Sequence, residues 1–154
     1  MKRNKLFNKE SLLQTLTRES VSEDIKITSN QTASLFKNIH GNISIDGYTH
    51  HSIIENEHGN ILISGDNRSS TINSKDGEIT LIGNLSDTSV KTTSGKINII
   101  GNVKNCEIET ESGEISISGS LDQATKIDLG YGKLIRTGQQ ENKIKNKISN
   151  PTNG

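Results

Sequence analysis

The chain has 154 residues, is 29% apolar and 3% aromatic, and carries 18 basic against 18 acidic side chains. That length allows one domain, and so little apolar and aromatic material is poor stock for a single central core. One cysteine, Cys106, excludes an internal disulfide framework, and no stretch is apolar enough for a transmembrane helix.

Residues 1–22 carry five basic and two acidic groups. The basic start from Met1 to Lys5 lacks the apolar run of a secretory signal, so a cytoplasmic chain is the expectation. Leu12, Leu13 and Leu16 have helical spacing and Asn8 stands where an N-cap would. The reading for 1–22 is a basic tail with a short capping helix over the first coil, whose open strand edges would otherwise template aggregation.

From Glu23 the chain repeats every 18 residues. The mark is Gly-x-Ile-x-Ile/Leu-x-Gly, at Gly41–Gly47, Gly59–Gly65, Gly77–Gly83, Gly95–Gly101 and Gly113–Gly119, with an earlier glycine-less copy holding Ile25 and Ile27. The aliphatics fall two apart, which is strand periodicity, and the glycines stand where the chain turns. Another strand follows nine residues on, at Phe36, Ile54, Ile72, Val90 and Ile108. The fold class predicted for residues 23–138 is all-β: a single-stranded parallel β-solenoid (β-helix) of about six 18-residue coils. Small cores then suffice, because each coil buries its stripe against its neighbours.

Stacking the copies gives columns. Ser34, Ser52, Ser70, Thr88, Cys106 and Ala124 make a small-residue column, and Asn38, Asn56, Ser74, Thr92 and Thr110 one suited to an inward hydrogen-bonding ladder. A further column drifts from Gln31, Thr49 and Asn67 to Leu85, Val103 and Leu121, so the later coils should be packed more drily. Outside, Glu78, Lys96 and Glu114 stack with alternating sign, as do Lys91 with Glu109 and Glu57 with Lys75, which favours this register.

After Gly119 the spacing gains one residue, and a last partial copy runs from Gly132 to Gly138. There Arg136 takes an inward aliphatic's place, which reads as a terminal cap because a charged side chain is incompatible with another dry coil. Residues 139–154, rich in Asn and Lys, read as a disordered polar tail.

No catalytic constellation stands out. His40, His58 and Asp76 share one column, and stacked ligands of that kind could hold zinc, but the spacing is no metal motif and the bland reading is surface corner residues. A hexapeptide acyltransferase needs an aliphatic every sixth residue, which is absent here. Sugar-cleaving β-helices need clustered carboxylates and aromatic platforms, and this chain has two Phe and two Tyr. Phosphate loops, a concentrated basic face and stacking aromatics are also missing, so no cofactor, small-molecule ligand or nucleic acid is expected.

The phrases Thr92–Val103 and Glu109–Gly119 resemble the bacterial polymer-forming and putative-adhesin β-solenoid families, bactofilins among them. The likeness covers residues 23–138. It implies self-association into filaments end to end, and offers no catalytic residues. The chain departs from the family in its more polar core and in Arg136. The expectation is a non-enzymatic scaffold that self-associates, end to end or by a face, or organises another protein. Leu12, Ile25 and Ile27 at one end and Leu134, Ile135 and Arg136 at the other are its assembly or capping residues. The alternative is a monomeric binding module of effector or adhesin type, using a solenoid face.

Overall fold

A computed structural model describes residues 16–137 and 143–145. The chain winds through about seven turns of a parallel β-solenoid, and the described residues contain no helix. Each full turn lays down three short strands. In the second turn these are Leu35–Asn38, Ile43–Asp46 and Thr49–His50. Like strands stack into sheets of eight, seven and five, called here the first, second and third.

The register follows the repeat. Ile43 pairs with Ile61, Ile61 with Ile79 and Ile79 with Ile97, each step being 18 residues. Period-two alternation then sends Ile43 and Ile45 inward and Ser44 and Asp46 outward. The inward aliphatics of the first and second sheets are almost wholly buried, from Phe36 to Ile127 and from Ile25 to Ile117. The extra residue after Gly119 also appears, since Glu107 pairs with Lys126 and Glu114 with Lys133.

Glycine is required where successive turns touch. A Cβ built on Gly77 would collide with the Gly59 carbonyl, and one on Gly95 with the Gly77 carbonyl. A different corner, between the third and first sheets, takes the left-handed conformation without glycine. Ala33, His51, Ser69, Asp87 and Asn105 all have φ between 51° and 56°. Asn and Asp tolerate this region best among non-glycine residues.

Four readings of the sequence need correction. The solenoid starts earlier than Glu23: Thr17–Ser20 is a strand paired with Leu35–Asn38, inside the segment read as tail and helix. Leu16 packs partly buried against the core, while Leu12, Leu13 and Asn8 lie outside the described residues. Thr125, not Ala124, continues the small-residue column. Thr125 is fully buried and its hydroxyl accepts the Cys106 N–H at 3.1 Å, whereas Ala124 is exposed. The one-residue insertion lies before Thr125, which shifts the register there. At the far end, Lys143–Lys145 pairs with Lys126–Asp128, adding a strand within the segment read as a disordered tail. The described part of the chain gives about seven turns, not six.

The Asn38 column also works differently from a ladder. Its side chains bond to the backbone of the glycine corner three residues on. Gly77 N–H donates to Ser74 Oγ at 3.1 Å and Gly113 N–H to Thr110 Oγ1 at 2.7 Å. The Asn56 amide donates to the Gly41 carbonyl of the turn below at 2.9 Å. The corner exposes backbone groups that no strand can satisfy, and these buried polar side chains satisfy them.

Candidate interaction surface

Two outward columns, unnoticed in the sequence, lock each turn to the next. The Asp24 carboxylate accepts the Asn42 N–H, Asn42 Oδ1 the Asn60 N–H, and Asn60 Oδ1 the Glu78 N–H, all at 2.8–2.9 Å. A parallel series runs from Asp66 through Asn84 and Asn102 to Ser120. The sequence signal was present: Asn or Asp directly after a repeat glycine, as in Gly41-Asn42, Gly59-Asn60, Gly83-Asn84 and Gly101-Asn102.

On the first sheet the outward faces carry charge in opposed pairs. Lys37 lies 3.5 Å from Glu55 and Lys91 3.6 Å from Glu109. On the second sheet, Glu114 is held by Lys96 at 3.2 Å and by Lys133, its partner on the next strand, at 3.3 Å. The hydrogen bond from Lys96 and then that from Lys133 hold its carboxyl below the usual carboxylate range, against the opposing effect of burial. Such exposed pairs fix register more than they stabilise.

The histidines form two small groups. His40 and His58 stack face to face, with centroids 5.2 Å apart, and His58 Nδ1 lies 3.1 Å from the Asp76 carboxylate. Elsewhere Tyr48 stacks on His50, and His50 meets His51 edge-on. Partial burial, then the Arg68 charge, pushes the His50 pKa down. Among the described residues no three His, Cys, Asp or Glu side chains converge as a metal would need. Cys106 is buried in the core, and that burial pushes its thiol up to about 11.

At the first end, Ile25 and Ile27 are buried on the edge strand of the second sheet. Beside them Arg18 occupies the column headed by Phe36, where every later residue is aliphatic, and it is exposed. At the last end, Leu134 packs partly buried against the core, Ile135 points out 41% exposed, and Arg136 pairs in register with Ile117. The Arg136 guanidinium donates to the Gly119 carbonyl at 3.4 Å. Each end of the stack therefore holds an arginine in a core column, and only Arg136 was anticipated.

A shallow groove of about 770 Å3 runs along the corner between the first and second sheets, lined among others by Glu19, Val21, Lys37, Ile39, Glu57 and Lys75. No described helix is long and apolar enough to cross a membrane. Compared with family models, with curated proteins and with solved structures, the chain matches none.

Proposed function

We propose that this solenoid is a structural, non-enzymatic scaffold that associates with copies of itself or holds partner proteins along its flat faces. The observation that carries the reading is the unbroken register. From Thr17 to Ser118 every strand pairing steps by 18 residues, so this stretch is spent on stacking and not on the loops that usually build a reaction site. The product is a stiff rod roughly 30 Å long, with flat outward rows.

Association by a face fits the ends better than end-to-end stacking. Bringing two copies head to tail would set Arg18 of one and Arg136 of the other in core columns at the junction, and taking charge out of water there is costly. Charged residues at inward edge positions are a known way of blunting strand ends.

Sedimentation equilibrium of the full chain, from micromolar to about millimolar, tests the reading. The expected result is a mass that rises with concentration and levels off at a small oligomer. A strict monomer throughout rejects self-association and leaves the binding-module reading, which the groove between Glu19 and Lys75 favours.

A further inference from the structure

We infer that the first end of the rod is closed by the chain's own residues 1–15, lying across the core as a cover and not as a further coil. This goes beyond the self-association reading, because it takes one end of the rod out of assembly. Ile25, Ile27 and Gln31 belong to the outermost described strands of the second and third sheets. An edge position leaves one side of each open. Yet they are 2%, 7% and 1% exposed. At the second sheet's opposite edge Leu134, in the column of Ile25, is only partly buried. Of the described residues ahead of Ile25, Leu16 packs on the core, while Arg18 and Val21 are exposed. One partly buried leucine is too little to seal three such neighbours.

The glycine columns exclude another winding as the seal. Each corner glycine leans on the carbonyl one turn earlier: Gly59 on Gly41 and Gly41 on Glu23, Gly65 on Gly47 and Gly47 on Ser29. A turn ahead of the first would bring its own carbonyls against positions 23 and 29. Those positions carry the Cβ atoms of Glu23 and Ser29, which would collide as a Cβ on Gly59 or Gly65 would. The same collision, with Arg18 in the column of Phe36, turns away the last coil of a second copy. The cover therefore crosses the end instead of following the wall. Residues 1–15 suit that task, because Met1, Leu6, Phe7, Leu12 and Leu13 supply apolar contact. Fifteen residues reach up to about 50 Å, several times the roughly 13 Å side of a coil with four-residue strands. Their point of entry is fixed: the Leu16 N–H donates to Ser34 Oγ at 3.1 Å, as the Ser34 N–H does to Ser52 Oγ one turn on.

The test uses the full chain carrying Ile27→Cys, with the buried Cys106 as an internal reference. Both thiols should react with a maleimide far more slowly than a free thiol, at a rate that does not depend on protein concentration. Adding Phe7→Ser/Leu12→Ser/Leu13→Ser should speed labelling at position 27 at least about tenfold and leave Cys106 slow. If Cys106 turns reactive as well, the variant has unfolded, and Leu13→Ser alone replaces it with the same direction expected at position 27. Fast labelling of Ile27→Cys in the otherwise native chain, or a rate that the serines leave unchanged, overturns the cover. Protection lost on dilution gives the end to a second copy and overturns it too. The readout is thiol reactivity and not mass, so a chain that never self-associates removes the self-association reading and leaves the cover standing.

Discussion

The first three turns and the next three share a frame but fill it differently. Along the third sheet the inward column reads Gln31, Thr49, Asn67 in the early turns and Leu85 and Val103 in the later ones, continued by Leu121 through a single bridge to Val103, and all six are buried. The early residues stay buried because they bond to one another and to the backbone. The Thr49 hydroxyl donates to Asn67 Oδ1, and the Gln31 amide donates to the Ser29 carbonyl at 3.0 Å. The glycine-corner column follows the same split, with Asn38 and Asn56 early and Ser74, Thr92 and Thr110 late. One backbone therefore accepts a hydrogen-bonded core or a dry one, provided each buried polar group has a partner. The glycine columns and the paired isoleucines are common to both halves and hold the frame constant.

The largest expected effect tests that common frame. Gly59→Ala in the polar half and Gly95→Ala in the dry half would each drive a methyl into the carbonyl of the turn below. Backbone has no rotamer with which to yield, so each should cost about 3 kcal/mol or more in denaturant unfolding. Equal costs would show that turn contact, and not core chemistry, sets the frame. A cost under about 1 kcal/mol in either half would refute it.

A smaller effect should separate the halves. Leu85→Ala removes three carbons from a dry column between Asn67 and Val103 and should cost about 3 kcal/mol. Asn67→Ala loses less packing but strands the Thr49 hydroxyl and the Gly65 carbonyl, at about 1–2 kcal/mol. Pairing Asn67→Leu with Thr49→Val should recover most of that loss, because it removes both partners together. If the double substitution is worse than Asn67→Ala, the early column is not interchangeable with the late one.

Much of this was readable in advance, for identifiable reasons. An 18-residue period with aliphatics two apart admits one stacking register, so the isoleucine columns, Phe36, and the Lys91–Glu109 and Lys96–Glu114 pairs follow from it. The strand Thr17–Ser20 was hidden because its inward residue is Arg18 and because Leu16 continues the helical spacing of Leu12 and Leu13. The third sheet's strands are two residues long, as in Gln31–Thr32, too short to show alternation. The left-handed corner left no mark because its residues, Ala33, His51, Ser69, Asp87 and Asn105, share no chemistry. For the closed first end the signal was a pair of missing glycines, at Glu23 and Ser29, legible only once the register says what each corner glycine touches.

The smallest effect is electrostatic and again divides the halves. In the early turns His50 has its pKa pushed down by burial and by Arg68. A histidine lowered in the folded state binds its proton more readily when unfolded. Its contribution is therefore whole above the ordinary histidine value and fades as pH falls through it. In the late turns Glu114 is lowered by Lys96 and Lys133. Its contribution is whole above the ordinary glutamate value and is lost further down, as pH falls through the depressed folded value. Acid should thus weaken the solenoid in two steps, first at neutral to mildly acidic pH through the His50 turn and then in the carboxylate range through the Glu114 turn. Urea midpoints measured across pH would show His50→Gln flattening only the first step and Glu114→Gln only the second. Both groups are half-buried, but the Glu114 step originates in charge, so salt at about 0.5 M should shrink it. The His50 step, led by desolvation, should keep more of its size, and a reversal of that order would assign the two shifts to the wrong causes.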